Sequence, residues 1–167
     1  MESRSQIGRK AWSNHTLRAC ITALALVLVI AVDRITKLYA LEHFNFEHVI
    51  NRFLSLELVF NRGMSFGLFG HSSRVGLIVA ATFLGFCCMV LEAYKKWLKQ
   101  QSFIGELLIA SGTISNIIDR LLYGGVIDFI LVHVGSWSWP VFNIADAAIV
   151  LGVACIIVEM FKHRHTL

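Results

Sequence analysis

Residues 75–91 read VGLIVAATFLGFCCMVL, a run of 17 residues without a charged side chain. Three further uncharged runs cover residues 19–32, 107–118 and 147–158. A helix needs about 20 residues to cross the hydrocarbon core of a bilayer. Each run therefore indicates the centre of a membrane-spanning helix that continues past a charge at one end. Because charges inside a span tend to face protein or a wet cavity, polar residues are expected between the helices.

The composition supports a membrane protein over a soluble one. Of the 167 residues, 56% are hydrophobic and only 16% are charged, whereas a soluble domain has about half apolar and about a quarter charged residues. The net charge is +4, but the basic residues flank the apolar runs instead of lining one polar face, so no nucleic-acid partner is expected.

We predict one polytopic membrane domain over residues 1–167, all-α, with four transmembrane helices at about 17–39, 73–94, 103–122 and 143–162. In this arrangement both termini and the loop between the second and third spans share one side, which holds nine of the fifteen lysines and arginines. The positive-inside rule places that side in the cytoplasm. The expected location is the inner (cytoplasmic) membrane.

The segment at about 42–72 is predicted to form a small sheet outside the membrane, between helices 1 and 2. Leucine or phenylalanine occupies every second position from Leu54 to Phe60, and mostly polar residues occupy the alternate positions from Ser55 to Asn61. This period of two is typical of a strand with one apolar face. Residues 61–63 supply a turn, and residues 66–69 are a candidate returning strand.

Four aspartates are expected at one membrane face. Asp33 ends the first span, Asp119 ends the third, Asp128 lies in the loop that joins the third span to the fourth, and Asp146 begins the fourth. Since odd and even spans run in opposite directions, all four reach the outer side. Three asparagines join the same layer, namely Asn61, Asn116 and Asn143.

Structural roles are alternatives for each aspartate. Asp33 and Lys37 have the i,i+4 spacing of a helical ion pair. Asp119 has Arg120 as a neighbour with which it could pair at the helix end. Asp146 could cap the helix that it begins. Asp128 stands in an apolar stretch, where a solvated surface carboxylate is not expected.

Two poorly solvated carboxylates suit acid–base hydrolysis. They can share one proton, so that one activates a water while the other donates to a carbonyl. That chemistry requires neither a metal nor a cofactor, and none is expected, because the sequence has no CxxC or HExxH spacing.

Five ordered motifs resemble those of the bacterial lipoprotein signal peptidase family (signal peptidase II). They are residues 33–37 (DRITK), 61–67 (NRGMSFG), 112–120 (GTISNIIDR), 125–129 (GVIDF) and 142–146 (FNIAD). The chain departs from the family pattern at Arg34, where glutamine is more frequent, at Met64 and Ser65, where two alanines are common, and at Ser115, where glycine is frequent.

The resemblance implies a four-helix aspartyl endopeptidase with an extracytoplasmic β-cradle. It implies catalytic roles for Asp128 and Asp146, support or substrate contacts for Asn61, Asn116, Asp119, Arg120 and Asn143, and a structural role for Asp33 and Lys37. The implied substrates are diacylglyceryl-modified prolipoproteins, cut before the lipidated cysteine. We expect a monomer whose other partner is membrane lipid.

Two other functions are compatible with four helices and buried carboxylates. A small proton-coupled transporter would place its acid near the bilayer midplane, whereas these aspartates cluster at one end of the spans. A non-catalytic assembly factor would use the same polar residues to join helices. Cleavage by an Asp128→Asn variant distinguishes the enzyme from both.

Overall fold

The computed structural model describes residues 3–62 and 75–164. Within them the chain forms four helices, which are α1 (Ser3–His43), α2 (Val75–Leu98), α3 (Ile104–Tyr123) and α4 (Ile144–Arg164). The predicted number of helices is confirmed, and α1 extends beyond its predicted bounds at both ends. The candidate strand at 66–69, Met64 and Ser65 lie outside the described residues.

Helix α3 is the centre of the bundle. It packs against α1, α2 and α4, and α1 also contacts α4. The α3–α4 contact is close because glycines face it: a Cβ added to Gly105 would lie 2.8 Å from the backbone oxygen of Gly152. Small residues allow this approach of helix backbones. This contact holds the start of α3 beside the middle of α4, and Gly112 of α3 approaches the backbone of Ala145 at the start of α4.

The described sheet has four antiparallel strands in the order β1 (His48–Asn51), β2 (Leu54–Asn61), β3 (Val126–Val134) and β4 (Trp137–Ser138). Strands β1 and β2 lie between α1 and α2 as predicted. The expectation that the sheet belongs to that connection alone is wrong, because β3 and β4 lie between α3 and α4. Strand β3 pairs with β2, with Val59 opposite Asp128 and Asn61 opposite Val126.

The alternation predicted for β2 holds only in part. Leu56 and Leu58 pack against the buried cluster of Ala40, Phe44 and Phe129, which joins α1 to the sheet. However, Ser55 on the predicted polar face is fully buried, and Phe60 on the apolar face is exposed. The register shifts between Leu56 and Val59. A bulge of this kind interrupts the period of two and turns the strand end toward new neighbours.

The helices expose apolar residues and bury charged ones. Leu24, Leu84, Leu121 and Leu151, one from each helix, are all more than half exposed. By length and composition, the described residues contain one candidate span, Ile144–Lys162, with a mean hydropathy of 2.3. An apolar exterior around buried charges is the pattern expected when the surrounding solvent is lipid.

Candidate active site

Asp128 and Asp146 reach the site from different elements. Asp128 is the third residue of β3 and is 1% exposed, whereas Asp146 lies in the first turn of α4 and is partly exposed. The prediction that Asp128 comes from a loop is wrong, because it lies within a paired strand. The backbone N–H of Ile127 donates to Asp119 Oδ2 over 3.2 Å, which ties the start of β3 to α3.

Asn143 and Asp146 form a capping box at the start of α4. The backbone N–H of Asp146 donates to Asn143 Oδ1 over 2.8 Å, and the backbone N–H of Asn143 donates to Asp146 Oδ2 over 3.4 Å. Reciprocal bonds of this type satisfy two unpaired donors of a helix N-terminus. The capping alternative for Asp146 is therefore present in the structure. The helix cap uses Asp146 Oδ2. The other carboxylate oxygen, Asp146 Oδ1, accepts a bond from Asn116 Nδ2 over 2.8 Å.

Two asparagine amides hold the carboxylate of Asp128. Asn143 Nδ2 donates to Oδ1 over 2.6 Å, and Asn61 Nδ2 donates to Oδ2 over 3.0 Å. Asn143 therefore contacts both aspartates, one through its side-chain amide and the other through the helix cap. Burial and, secondly, the nearby charge of Asp146 raise the pKa of Asp128 to about 7. A carboxyl group in that range can carry a proton at neutral pH.

Behind the two aspartates lies a buried cluster of four charged residues, Asp33, Arg34, Lys37 and Asp119. Lys37 Nζ lies 2.7 Å from Asp33 Oδ2 and 2.7 Å from Asp119 Oδ2. Arg34 Nη2 lies 2.5 Å from Asp119 Oδ1. We call these residues the charge cluster. It joins α1 to α3, because Asp33, Arg34 and Lys37 all lie on α1.

The charge cluster also reaches α4 and Ser115. The backbone N–H of Ala145 donates to Asp33 Oδ1 over 2.8 Å, so a carboxylate of α1 satisfies a donor in the first turn of α4. Ser115 Oγ donates to Asp33 Oδ2 over 2.6 Å and accepts from Arg34 Nε over 3.0 Å. Sequence reasoning had noted Arg34 and Ser115 only as departures from a family pattern. The available signal was that both residues lie within motifs, Arg34 in residues 33–37 and Ser115 in residues 112–120.

Asp119 does not pair with its neighbour Arg120 among the described ion pairs, so that alternative is wrong. The partners of Asp119 are Arg34 and Lys37. Arg120 is half-buried, and its Nη1 donates to the backbone oxygen of Asn116 over 3.4 Å. Its guanidinium lies within electrostatic reach of Asp146 and Asp128. Arg120 thus supplies positive charge and hydrogen-bond donors next to the two carboxylates.

Hydrogen bonds connect all of the predicted site residues at one end of the bundle. Within residues 3–62 and 75–164, no group of three or more His, Cys, Asp or Glu side chains is arranged to hold a metal ion. The groups around Asp128 and Asp146 are amides and cations, which orient carboxylates. The arrangement can hold two carboxyl groups in different protonation states beside a peptide bond.

Sequence comparison identifies related proteins over most of the chain. The profile of the family described as signal peptidase (SPase) II matches residues 25–162. A lipoprotein signal peptidase of Paraburkholderia phymatum is 42% identical over 141 residues, covering 81% of this chain and 84% of the relative. A lipoprotein signal peptidase of Anaplasma marginale is 36% identical over 146 residues, covering 86% of each chain.

Two solved structures share the fold. Both are described as bacterial membrane enzymes, determined by the in meso method at 2.3 and 1.9 Å resolution. Each superposes with a TM-score of 0.68 over 85% of this chain, at 26% and 25% sequence identity. The superposed regions make up 88% and 93% of the two solved chains.

Proposed function

Because this chain belongs to the signal peptidase II family, we propose that Asp128 and Asp146 are the catalytic pair of a lipoprotein signal peptidase. The protein is a membrane peptidase of the aspartic type that removes signal peptides from prolipoproteins. The observation that carries the assignment of the pair is Asn143, which bonds to Asp128 Oδ1 and caps α4 together with Asp146.

The two aspartates have different roles. Asp146 is the ionised base, because the N-terminus of α4 favours negative charge and Asn116 donates to its Oδ1. Asp128 carries the proton, since its pKa of about 7 keeps it largely neutral up to that pH.

The reaction proceeds by addition of water to the peptide carbonyl. Asp146 takes a proton from the water, whose oxygen bonds to the carbonyl carbon, while Asp128 gives its proton to the carbonyl oxygen. When the intermediate collapses, Asp128 regains its proton, Asp146 passes its own to the leaving nitrogen, and the C–N bond breaks. Arg120 and Asn61 lie beside the pair and stabilise the developing negative charge by electrostatic attraction and hydrogen bonding.

The proposed substrate is a membrane-anchored prolipoprotein with a diacylglyceryl-modified cysteine, cut before that cysteine. All four helices cross the inner membrane, both termini are cytoplasmic, and the pair faces the outer surface. The apolar exteriors of all four helices support the spanning arrangement, and the placement of lysine and arginine supports its orientation. Burial of acyl chains against such surfaces contributes about 0.8 kcal/mol per methylene, which favours the lipidated precursor over an unmodified one. The protein acts as a monomer, since one chain supplies both aspartates.

Replacing either aspartate by asparagine tests the proposal. Asp128→Asn and Asp146→Asn keep the side-chain size but remove the shared-proton arrangement, so turnover of a diacylglyceryl-modified precursor should fall by at least about 1,000-fold. Cleavage is measured with purified enzyme in lipid bilayers at matched protein levels. Glu92→Gln is the matched acid-to-amide control, because Glu92 is exposed near the end of α2. Substantial turnover by either aspartate variant would refute the assignment.

A further inference from the structure

Lys37 is a fully enclosed ammonium group with three hydrogen-bond acceptors. Its side chain is 1% exposed, and its Nζ contacts Asp33 Oδ2, Asp119 Oδ2 and Asn116 Oδ1 at 2.7, 2.7 and 2.9 Å. An ammonium has three N–H donors and no acceptor. The three contacts therefore use all of its donors, and one of them is an uncharged amide, not a carboxylate.

Lys37 and Asn143 together determine the orientation of the Asn116 amide. Asn116 Oδ1 accepts bonds from Lys37 and, over 3.2 Å, from Asn143 Nδ2. On the other side, Asn116 Nδ2 donates to Asp146 Oδ1 over 2.8 Å. Rotating the amide by half a turn would place its NH₂ group against two donors and its oxygen against a carboxylate. With Lys37 in place, only one of the two amide orientations is favourable.

We propose that Lys37 is a positioning residue for catalysis, which acts on Asp146 by fixing the amide of Asn116 as a hydrogen-bond donor. The inference rests on the proposed roles of Asp128 and Asp146. It extends the structural role expected for Lys37, because it links the ammonium group of α1 to the reacting carboxylate of α4 through one side chain of α3.

The effect is local and does not depend on the net charge of the cluster. Arg34 and Lys37 carry two positive charges, and Asp33 and Asp119 carry two negative charges, so the charge cluster is neutral as a whole. Within the described residues, Arg34 bonds to Asp33, Ser115 and Asp119. Lys37 is the cation of the cluster that bonds to Asn116. Arg34 therefore offers a matched comparison: it is a cation of the same cluster on the same helix.

The test removes the ammonium group without leaving unbalanced charge. In Lys37→Met/Asp33→Asn, one cation and one anion are lost together, and an asparagine oxygen at position 33 can still accept the bond from Ala145. We expect kcat to fall by about 10- to 100-fold, the range typical for loss of a residue that orients a functional group. KM should stay within about threefold, because substrate contacts are unchanged. The matched control Asp33→Asn/Arg34→Met also removes one anion and one cation, but it keeps the contact between Lys37 and Asn116, so kcat should stay within about threefold of the parent enzyme.

A double-mutant cycle separates positioning from a merely structural role. If Lys37 acts through Asn116, the Lys37→Met/Asp33→Asn change should lower kcat by no more than about twofold in an Asn116→Ala background. An equal loss of kcat in both backgrounds would contradict the proposal. Full activity of Lys37→Arg would contradict it as well, because a planar guanidinium keeps the charge but cannot reproduce the three contacts of an ammonium.

Thermal unfolding and binding of an uncleavable lipopeptide show whether each variant is folded. If the double variant does not fold, Lys37→Arg decides the question. Failure of this inference is distinct from failure of the proposed function. Turnover by Asp128→Asn would refute the catalytic pair, whereas full turnover by the Lys37 variants, with Asp128→Asn inactive, would refute only the positioning role.

Discussion

The carboxyl group of Asp128 is 1% exposed and lies near a second carboxylate, so its ionisation opposes folding. Burial and the charge of Asp146 raise its pKa from the ordinary value of 3.8 to about 7. In the unfolded chain Asp128 loses its proton near pH 3.8, whereas in the folded protein it keeps it up to about pH 7. The stability contributed by the neutral form is fully present below the unfolded pKa of 3.8. It is lost as pH rises through the folded pKa of about 7.

Asp128→Asn should therefore stabilise the protein at alkaline pH, because asparagine cannot ionise. The difference in thermal unfolding midpoint between the variant and the parent should grow from about pH 5 to about pH 8. One kcal/mol corresponds to about 2–4 °C for a chain of this length. The measurement is thermal unfolding in detergent at both pH values, with Glu92→Gln as the exposed control. A difference that shrinks with rising pH would contradict the raised pKa.

Residue-level prediction from the sequence succeeded where topology alone brings groups together. Asp33, Asp119, Asp128 and Asp146 occur at span ends that must share one side, and hydrogen bonds do connect them. Arg34 and Ser115 could not be placed in this way. Their contact depends on the rotation of α1 against α3 about the helix axes, which spacing along the chain does not determine.

At the scale of elements, the close packing of α3 against α4 determines where Asp146 lies. A Cβ added at Gly112 would overlap the backbone oxygen of Ala145 and come within 2.8 Å of Ile149 Cγ1. The neighbour it meets is backbone in the first turn of α4, one residue before Asp146. Any side chain at position 112 must therefore displace the start of that helix.

Gly112→Ala should lower both stability and activity. Overpacking of this kind costs about 1–3 kcal/mol, and the displaced first turn moves Asp146 away from Asn116, so kcat should fall by at least about tenfold. Gly85→Ala is the matched control, because nothing lies within 4 Å of a Cβ added at Gly85. Thermal unfolding and cleavage rates of both variants are compared with the parent. Normal cleavage by Gly112→Ala would show that the contact does not position the site.

Elements were predicted well where their patterns are regular. The four uncharged runs gave the four helices, and alternation gave β2. Strand β3 was missed because both faces of its first half are buried, from Val126 to Phe129. A strand buried on both faces reads as a continuous apolar run without a period of two. Asp128 interrupts that run and suggested a loop, although it is held within the strand by Asn61 and Asn143.

At the scale of the whole molecule, the ion pairs that join different helices within the described residues form two groups at opposite ends of the bundle. The charge cluster lies beside the proposed catalytic pair. At the far end, Lys96 of α2 lies 2.6 Å from Glu106 of α3 and 2.8 Å from Glu159 of α4. The apolar stretches of the helices lie between the two groups. This division matches a bundle that crosses a membrane with its proposed active site at one face.

Cysteine labelling of intact cells tests whether the proposed active site lies at the outer or the cytoplasmic face of the membrane. In a background with all four native cysteines replaced by alanine, single cysteines are placed at Asn51, at Ser136 and, as the opposite-side control, at Gln101. All three positions are exposed, whereas Ser55 is fully buried and unsuitable for labelling despite its place on the predicted polar face of β2.

If both termini are cytoplasmic, a membrane-impermeant thiol reagent should label positions 51 and 136 in cells with a permeabilised outer barrier. Position 101 should react only after the inner membrane is broken, because the basic loop between α2 and α3 lies on the cytoplasmic side. The reverse pattern would invert the proposed orientation and place the catalytic pair in the cytoplasm. Labelling of all three positions before the membrane is broken would contradict the membrane-spanning arrangement itself.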